Sequence, residues 1–158
     1  MPVGAFGGKR EVMEVVAPLG GVYQAGTLSG NPIAMQAGLS TLELIDSNEF
    51  YDSLESTSAE IVDGMQRLAD DNGIAFSTNR VGSMFGFFFT ATQPVTSFSE
   101  VIKADSGAFN QFFHAMLGAG VNLAPSPFES GFISAAHGEK EIDKTLSAAE
   151  AAFKSMRS

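Results

Sequence analysis

The densest gathering of chemically useful groups runs from Gln24 to Pro32, in the order Gln-Ala-Gly-Thr-Leu-Ser-Gly-Asn-Pro. It sets two glycines, two hydroxyls and a capped helix start side by side. Unpaired backbone N–H groups near a helix terminus, joined by a hydroxyl donor, are what a phosphate dianion requires. The same residues also make an ordinary capped loop, and both readings stay open on the residues by themselves. Two other glycine-bearing stretches fall short of known phosphate motifs. GAFGGKR, Gly4 to Arg10, would need a glycine where Val3 stands and Ser or Thr where Arg10 stands. Gly118-Ala119-Gly120 would open a dinucleotide fingerprint only with a glycine in place of Leu123. Both are read as turns. His137-Gly138-Glu139 resembles the start of a zinc-deaminase motif, whose cysteine pair cannot exist in a chain without cysteine. His137 is expected to support a helix end, and His114, beside an apolar helical face, to be structural.

Composition narrows the field further. The 158 residues, 44% hydrophobic and 17% charged, suffice for a domain with a proper core. Nine basic residues face 18 acidic ones, a net charge of −9 with no basic stripe, which argues against nucleic acid or an anionic membrane as partner. The lack of cysteine removes disulfides, thiolate zinc sites and cysteine nucleophiles, and no metal site is expected. No apolar run reaches the length of a membrane span and no signal peptide is recognisable, so a cytoplasmic location is expected.

These groups must be positioned by elements that periodicity outlines. Asn31 as N-cap and Pro32 at the first helical position begin a helix carrying Met35, Leu39, Leu42 and Ile45. A second helix follows Ser47-Asn48, aligns Leu54, Ile61, Met65 and Leu68, and ends near Asn72-Gly73. Strands are predicted at Ile74–Thr78 and Met84–Thr90, the latter with Gly86 as a bulge or close approach, and a loop at Gln93–Ser99. A third helix carries Phe109, Phe112, Phe113, Met116 and Leu117, closing at Gly118 or Gly120. Short apolar pieces at Val121–Ala124 and Phe132–Ala135 flank a proline-rich turn, and a last helix uses Ile142, Leu146, Ala149 and Phe153. The first thirty residues, punctuated by glycine, do not look like a domain of their own. Val3, Phe6, Val15, Val16, Leu19 and Val22 are expected to need cover from elsewhere, through oligomerisation or a loosely ordered segment.

Four ordered blocks are similar to the class III aminotransferase family, and within it to the glutamate-1-semialdehyde aminomutases. They are MPVGAFGGKREVMEVVAPLGGVYQAGT, GTLSGNPIAM, GSMFGFFFT and LAPSPFESGFISAAHGEKEID. The resemblance implies an α/β fold, the C-terminal part of a fold-type-I transferase dependent on pyridoxal 5'-phosphate (PLP). Residues 1–40 would be a remnant of the large cofactor-binding domain. Residues 41–158 would form a small domain with a short antiparallel sheet and flanking helices. It implies a homodimer with shared active sites, in which Gly26 and Thr27 contact the cofactor phosphate of the neighbouring subunit. Glu129, in the FESGF block, matches a carboxylate near the active site, and a small molecule is the substrate. The implied activity converts glutamate 1-semialdehyde to 5-aminolevulinate for tetrapyrrole synthesis. Other activities consistent with the blocks are an ω-amino acid aminotransferase, a stand-alone non-catalytic binding module, or one half of a split enzyme. The family's cofactor-bearing lysine would precede Met1, Lys9 is not its counterpart, and the chain by itself is expected to be inactive. Asn122 stands where the family usually carries an aromatic residue, and Pro127 and Gly138 also depart from the commoner pattern.

Overall fold

A computed structural model of the chain describes residues 1–157. The chain divides into two compact units, Met1–Ser47 and Asn48–Ser158. In the first, α1 (Arg10–Met13) is a single turn, an isolated parallel bridge joins Val16 to Val22, and α2 spans Pro32–Ile45. Helix α2 starts as the sequence requires, with Pro32 at its first position and the Asn31 side chain accepting from Ile33 and Ala34. It runs unbroken across positions 40 and 41 and belongs wholly to this unit. Its periodic apolar residues remain uncovered, with Met35, Leu39 and Leu42 exposed and only Ala34 buried. Val3, Phe6, Val15, Leu19 and Val22 are exposed as well.

The second unit has a complete core. Helix α3 (Asn48–Asp71) turns Ile61, Val62, Met65 and Ala69 inward and closes on Gly73. There the Gly73 N–H donates to the Asp70 carbonyl and the Ile74 N–H to that of Ala69, which satisfies orphan carbonyls at the helix end. The C-terminus of α5 (Ser106–Gly118) repeats this motif with Gly120 to Leu117 and Val121 to Met116. Both glycines sit at positive φ, 68° and 77°, where a side chain would be strained.

Strands β1 (Ser77–Val81), β2 (Met84–Phe88) and β3 (Gly131–Phe132) form one antiparallel sheet in that order. The first strand lies later than predicted, because Ile74 is taken up by the helix-terminal bond and a two-residue turn at Gly82-Ser83 fixes the register. Val81 pairs with Met84, and Gly82, at φ 56°, occupies the first turn position, as a type II′ hairpin demands. Gly86 makes no bulge; it pairs regularly with Asn79, and the ring of Phe88 lies beside it. Strand β2 ends at Phe88, short of the predicted Thr90. Val121–Ala124 forms no strand, and the predicted Phe132–Ala135 piece reduces to β3. The expected loop at Gln93–Ser99 is irregular through Ser97, and its last two residues open a short helix, α4 (Phe98–Val101). Helix α6 (Glu139–Ser155) follows, with the Gly138 N–H donating to the Glu141 carboxylate. A glycine offers no side-chain oxygen, so only this half of a capping box exists.

Five phenylalanines meet at the centre of the second unit. Phe76 lies 5.4 Å from Phe87, 5.1 Å from Phe89 and 5.2 Å from Phe153 between ring centroids, and Phe112 stacks on Phe153 at 4.8 Å. Fully buried aromatic side chains dominate a core of this size, at about 1.5–3 kcal/mol each from burial. Phe153→Ala is expected to lower unfolding stability by about 3–5 kcal/mol, and Leu117→Ala, on the exposed side of α5, by less than about 1 kcal/mol. Denaturant titration of the two variants checks the contrast.

Helix α4 supplies a pH-dependent cap. The Glu100 carboxylate accepts from the Thr96 N–H at 2.8 Å and the Ser97 N–H at 3.0 Å. The Thr96 backbone donor, followed by the Ser97 side chain, holds its pKa below the usual value of 4.5. A depressed carboxylate pKa contributes stability that is full above the unfolded value and lost as pH falls through the folded one. The Glu100 carboxyl is therefore expected to titrate below 4.5 by NMR, with the Thr96 and Ser97 amide signals moving in step.

Candidate functional site

The phosphate-type loop is built from two consecutive turns. The Ser29 N–H donates to the Gly26 carbonyl at 2.9 Å, and the Asn31 N–H to the Leu28 carbonyl at 3.0 Å. Gly30 closes the second turn at φ 73°. The donors at the start of α2 are all engaged. Pro32 has none, Ile33 and Ala34 bond the Asn31 side chain at 3.0 and 3.1 Å, and Met35 bonds the Asn31 carbonyl at 2.9 Å. The helix terminus is therefore that of an ordinary capped loop, because its own cap uses these N–H groups. What remains is Thr27, exposed at the outer corner of the first turn, whose N–H and hydroxyl have no partner among the described residues. Gly26 lies on the inner side, where a Cβ would come within 2.9 Å of the Ser29 hydroxyl. With Pro2, Val3, Gly4 and Met35 the loop borders an open concavity that no cationic side chain lines. These neutral donors fit one edge of a cofactor phosphate, so the remaining phosphate oxygens require other groups.

Glu129 belongs to the second unit, on the loop between α5 and β3. Ser126 shapes that loop: its hydroxyl accepts from the Phe128 N–H at 3.2 Å, and its carbonyl from the Glu129 N–H at 3.1 Å. Sequence reasoning overlooked Ser126, although a serine bonding the amide two residues on is a recognisable local motif. The Glu129 carboxylate is solvent-exposed and without a partner among the described residues, at the lip of a crevice floored by Phe85, Phe87 and Phe109. Gly131 makes the floor possible. A Cβ there would lie 2.2 Å from Phe85 Cζ, so the ring of Phe85 covers its cross-strand glycine directly.

The histidines take local roles. His137 Nδ1 accepts from the Ser134 N–H at 3.1 Å and lies 3.1 Å from the Ser134 hydroxyl, just ahead of α6. His114 is exposed on α5, with its ring edge-on to Phe113 at 5.3 Å. Lys144 reaches back from α6 to donate to the Gly120 carbonyl at 2.9 Å, completing the end of α5. Among the described residues no three His, Cys, Asp or Glu side chains converge as metal ligands, and no helix is long and apolar enough to cross a membrane.

A model of the class III aminotransferase family matches residues 1–131, and the chain belongs to that family. Its fold is the α/β arrangement expected of the C-terminal portion of such a transferase. An omega-transaminase from Sphaerobacter thermophilus superposes with a TM-score of 0.77 at 24% identity, over 96% of this chain and 35% of that one. A transaminase with PLP bound gives 0.74 at 21% identity, over 94% and 34%. A β-phenylalanine aminotransferase from Variovorax paradoxus gives 0.69 at 24% identity, over 92% and 33%. At these identities the likeness is one of fold. The chain spans about a third of the length of those structures.

Gly131→Ala is expected to push Phe85 aside and destabilise the second unit by about 1–3 kcal/mol. Thermal or denaturant unfolding reads the loss, and movement of the Phe85 ring signals by NMR identifies its cause.

Proposed function

We propose that this chain is the carboxy-terminal portion of a longer PLP-dependent transaminase of the ω-amino acid type. One observation carries the reading: the fold likeness to an omega-transaminase and a β-phenylalanine aminotransferase extends over more than nine-tenths of the chain. Pyridoxal 5'-phosphate, when bound, supplies an electron sink at the carbon bearing the amino group. The residues of this chain do the holding. Thr27 donates its hydroxyl and N–H to phosphate oxygens, and Gly26 keeps the inside of the turn clear for that geometry. In a homodimer the phosphate so held is that of a second copy, and each active site is shared. Glu129 presents an unpaired carboxylate as an acceptor for the ammonium group of the substrate. Burial of such a group around substrate would strengthen the pairing by excluding water.

A second reading, the glutamate-1-semialdehyde aminomutase, is favoured by GSMFGFFFT and LAPSPFESGF. The two differ in where the amino group goes. A transaminase hands it to a separate 2-oxo acid, whereas the mutase returns it to the same molecule and needs no acceptor. The test supplies the cofactor-loaded longer protein with β-phenylalanine and 2-oxoglutarate. Formation of glutamate is expected. Conversion of glutamate 1-semialdehyde to 5-aminolevulinate without any acceptor, and no glutamate in the first assay, would replace the first reading by the second. Activity in neither assay would favour a binding module.

The phosphate role of Thr27 has its own check. In the longer protein, Thr27→Val is expected to weaken cofactor retention about tenfold, the worth of one charge-assisted hydrogen bond, and Thr27→Ser to restore it. Cofactor absorbance after dialysis against graded concentrations reads both. The 158 residues by themselves are expected to keep no stoichiometric PLP through dialysis.

A further inference from the structure

A hollow of about 360 Å³ opens in the second unit between the unpaired segment Val121–Pro125 and the Ser130–Ile133 edge of the sheet. That volume falls in the range of about 300–1,000 Å³ typical of small-molecule sites. Its floor is core: Ile61 and Met65 of α3, with Phe85 and Ile133, all buried residues that also line this hollow. Those four are almost wholly covered, and the apolar surface open to a ligand among the lining is that of Val121, Leu123 and Phe132.

The walls offer donors and no negative charge. No Asp or Glu lines the hollow, in a chain whose formal charge is −9. His137 is one wall. Its Nδ1 lies 3.1 Å from the Ser134 amide nitrogen and 3.2 Å from the Ser134 carbonyl oxygen, while its Nε2 has no hydrogen-bond partner among the described residues. The N–H groups of Asn122, Leu123 and Ala124 also have no partner among the described residues, since this segment joins no strand. The Ser130 hydroxyl and the Asn122 carboxamide stand at the rim, and Asn122 is exposed there. Lys144, bonded to the Gly120 carbonyl just before Val121, adds the nearby positive charge. Donors among the walls, beside accessible apolar side chains and with Glu129 outside the lining, suit an anionic acceptor attached to an apolar body.

We propose that this hollow is a binding site for small aromatic or branched aliphatic carboxylates, with the apolar group against Leu123 and Phe132 and the carboxylate toward His137 and the Asn122–Ala124 amides. It involves neither Thr27 nor Glu129, and it stands whether or not the transaminase reading does.

The test titrates phenylacetate into the 158-residue chain and follows the methyl signals of Val121, Leu123 and Ile133 and the His137 ring signal by NMR. Benzylamine and benzyl alcohol serve as cationic and neutral controls of the same shape. Saturable shifts of all four residues by phenylacetate, and not by the controls, are expected. Asn122→Phe should fill the mouth and weaken phenylacetate binding by about tenfold or more, while signals of the Phe76 cluster stay in place. Should that variant unfold, Ser130→Phe closes the same mouth from the opposite side. Absence of saturable shifts, equal binding of benzylamine, or unchanged affinity in a folded mouth-filling variant would each overturn the proposal.

Discussion

The second unit depends on the meeting of Phe76, Phe87, Phe89, Phe112 and Phe153. The five rings come from the end of the α3–β1 connection, from β2 and its exit, from α5 and from α6. No two neighbouring elements could form this cluster without the others, so sheet and helices are committed to one arrangement by a single apolar centre. Polar groups then fix what the rings leave free. The Phe76 carbonyl, at the edge of the cluster, accepts from Gln66 at 3.0 Å and from Gln93 at 2.7 Å. Asn79 donates to the Val95 carbonyl at 2.8 Å. The segment between β2 and α4 is thereby tied to the α3–β1 connection and to the sheet, which gives a loop without regular structure a defined path.

Burial is distributed unequally between the two units. In the second, the periodic residues of α3, α5 and α6 turn inward and find partners. In the first, Met35, Leu39 and Leu42 keep helical spacing on α2 yet are exposed, and Leu19 and Phe6 are more exposed still. An amphipathic pattern records the surface a helix is built to meet, and here that surface is not supplied within the unit. Val3 packs against Gly38 of α2, 3.0 Å from where a Cβ would be.

How far the sequence discloses this depends on whether the controlling interaction is local. The start of α2 is legible because Asn31 and Pro32 act within one turn, and the ends of α3 and α5 because Gly73 and Gly120 do the same. The 3–4 spacing of Phe109, Phe112 and Met116 likewise identifies the buried face of α5. The position of β1 is not legible from apolarity, because the hairpin at Gly82-Ser83, and not the hydrophobic run at Ile74, sets its register. Helix α4 escapes notice for a related reason. Its start is fixed by Glu100 folding back on Thr96 and Ser97, within a stretch whose serines and threonines read as loop. Glu129 could be singled out only through a whole block of residues, since an exposed acid carries no periodic signal. Ser126, whose hydroxyl and carbonyl shape the loop around it, is detectable from its local pattern.

The Gly26–Asn31 loop shows why a phosphate site and a capped loop look alike in sequence. Both need glycine, hydroxyl residues and a helix start, and the structure separates the groups by use. Asn31 satisfies the helix and its own turn, so the loop holds its shape without an anion. Thr27 stands outside that internal network with a donor pair uncommitted. A preformed turn carrying unused donors loses little conformational freedom when an anion arrives, which is the basis of preorganised recognition. Neutral donors also suit an acidic chain. A hydroxyl and an amide attract a phosphate only at hydrogen-bond range, so in the proposed role the geometry of the turn at Thr27 would hold the anion, and not the overall field of a molecule charged −9.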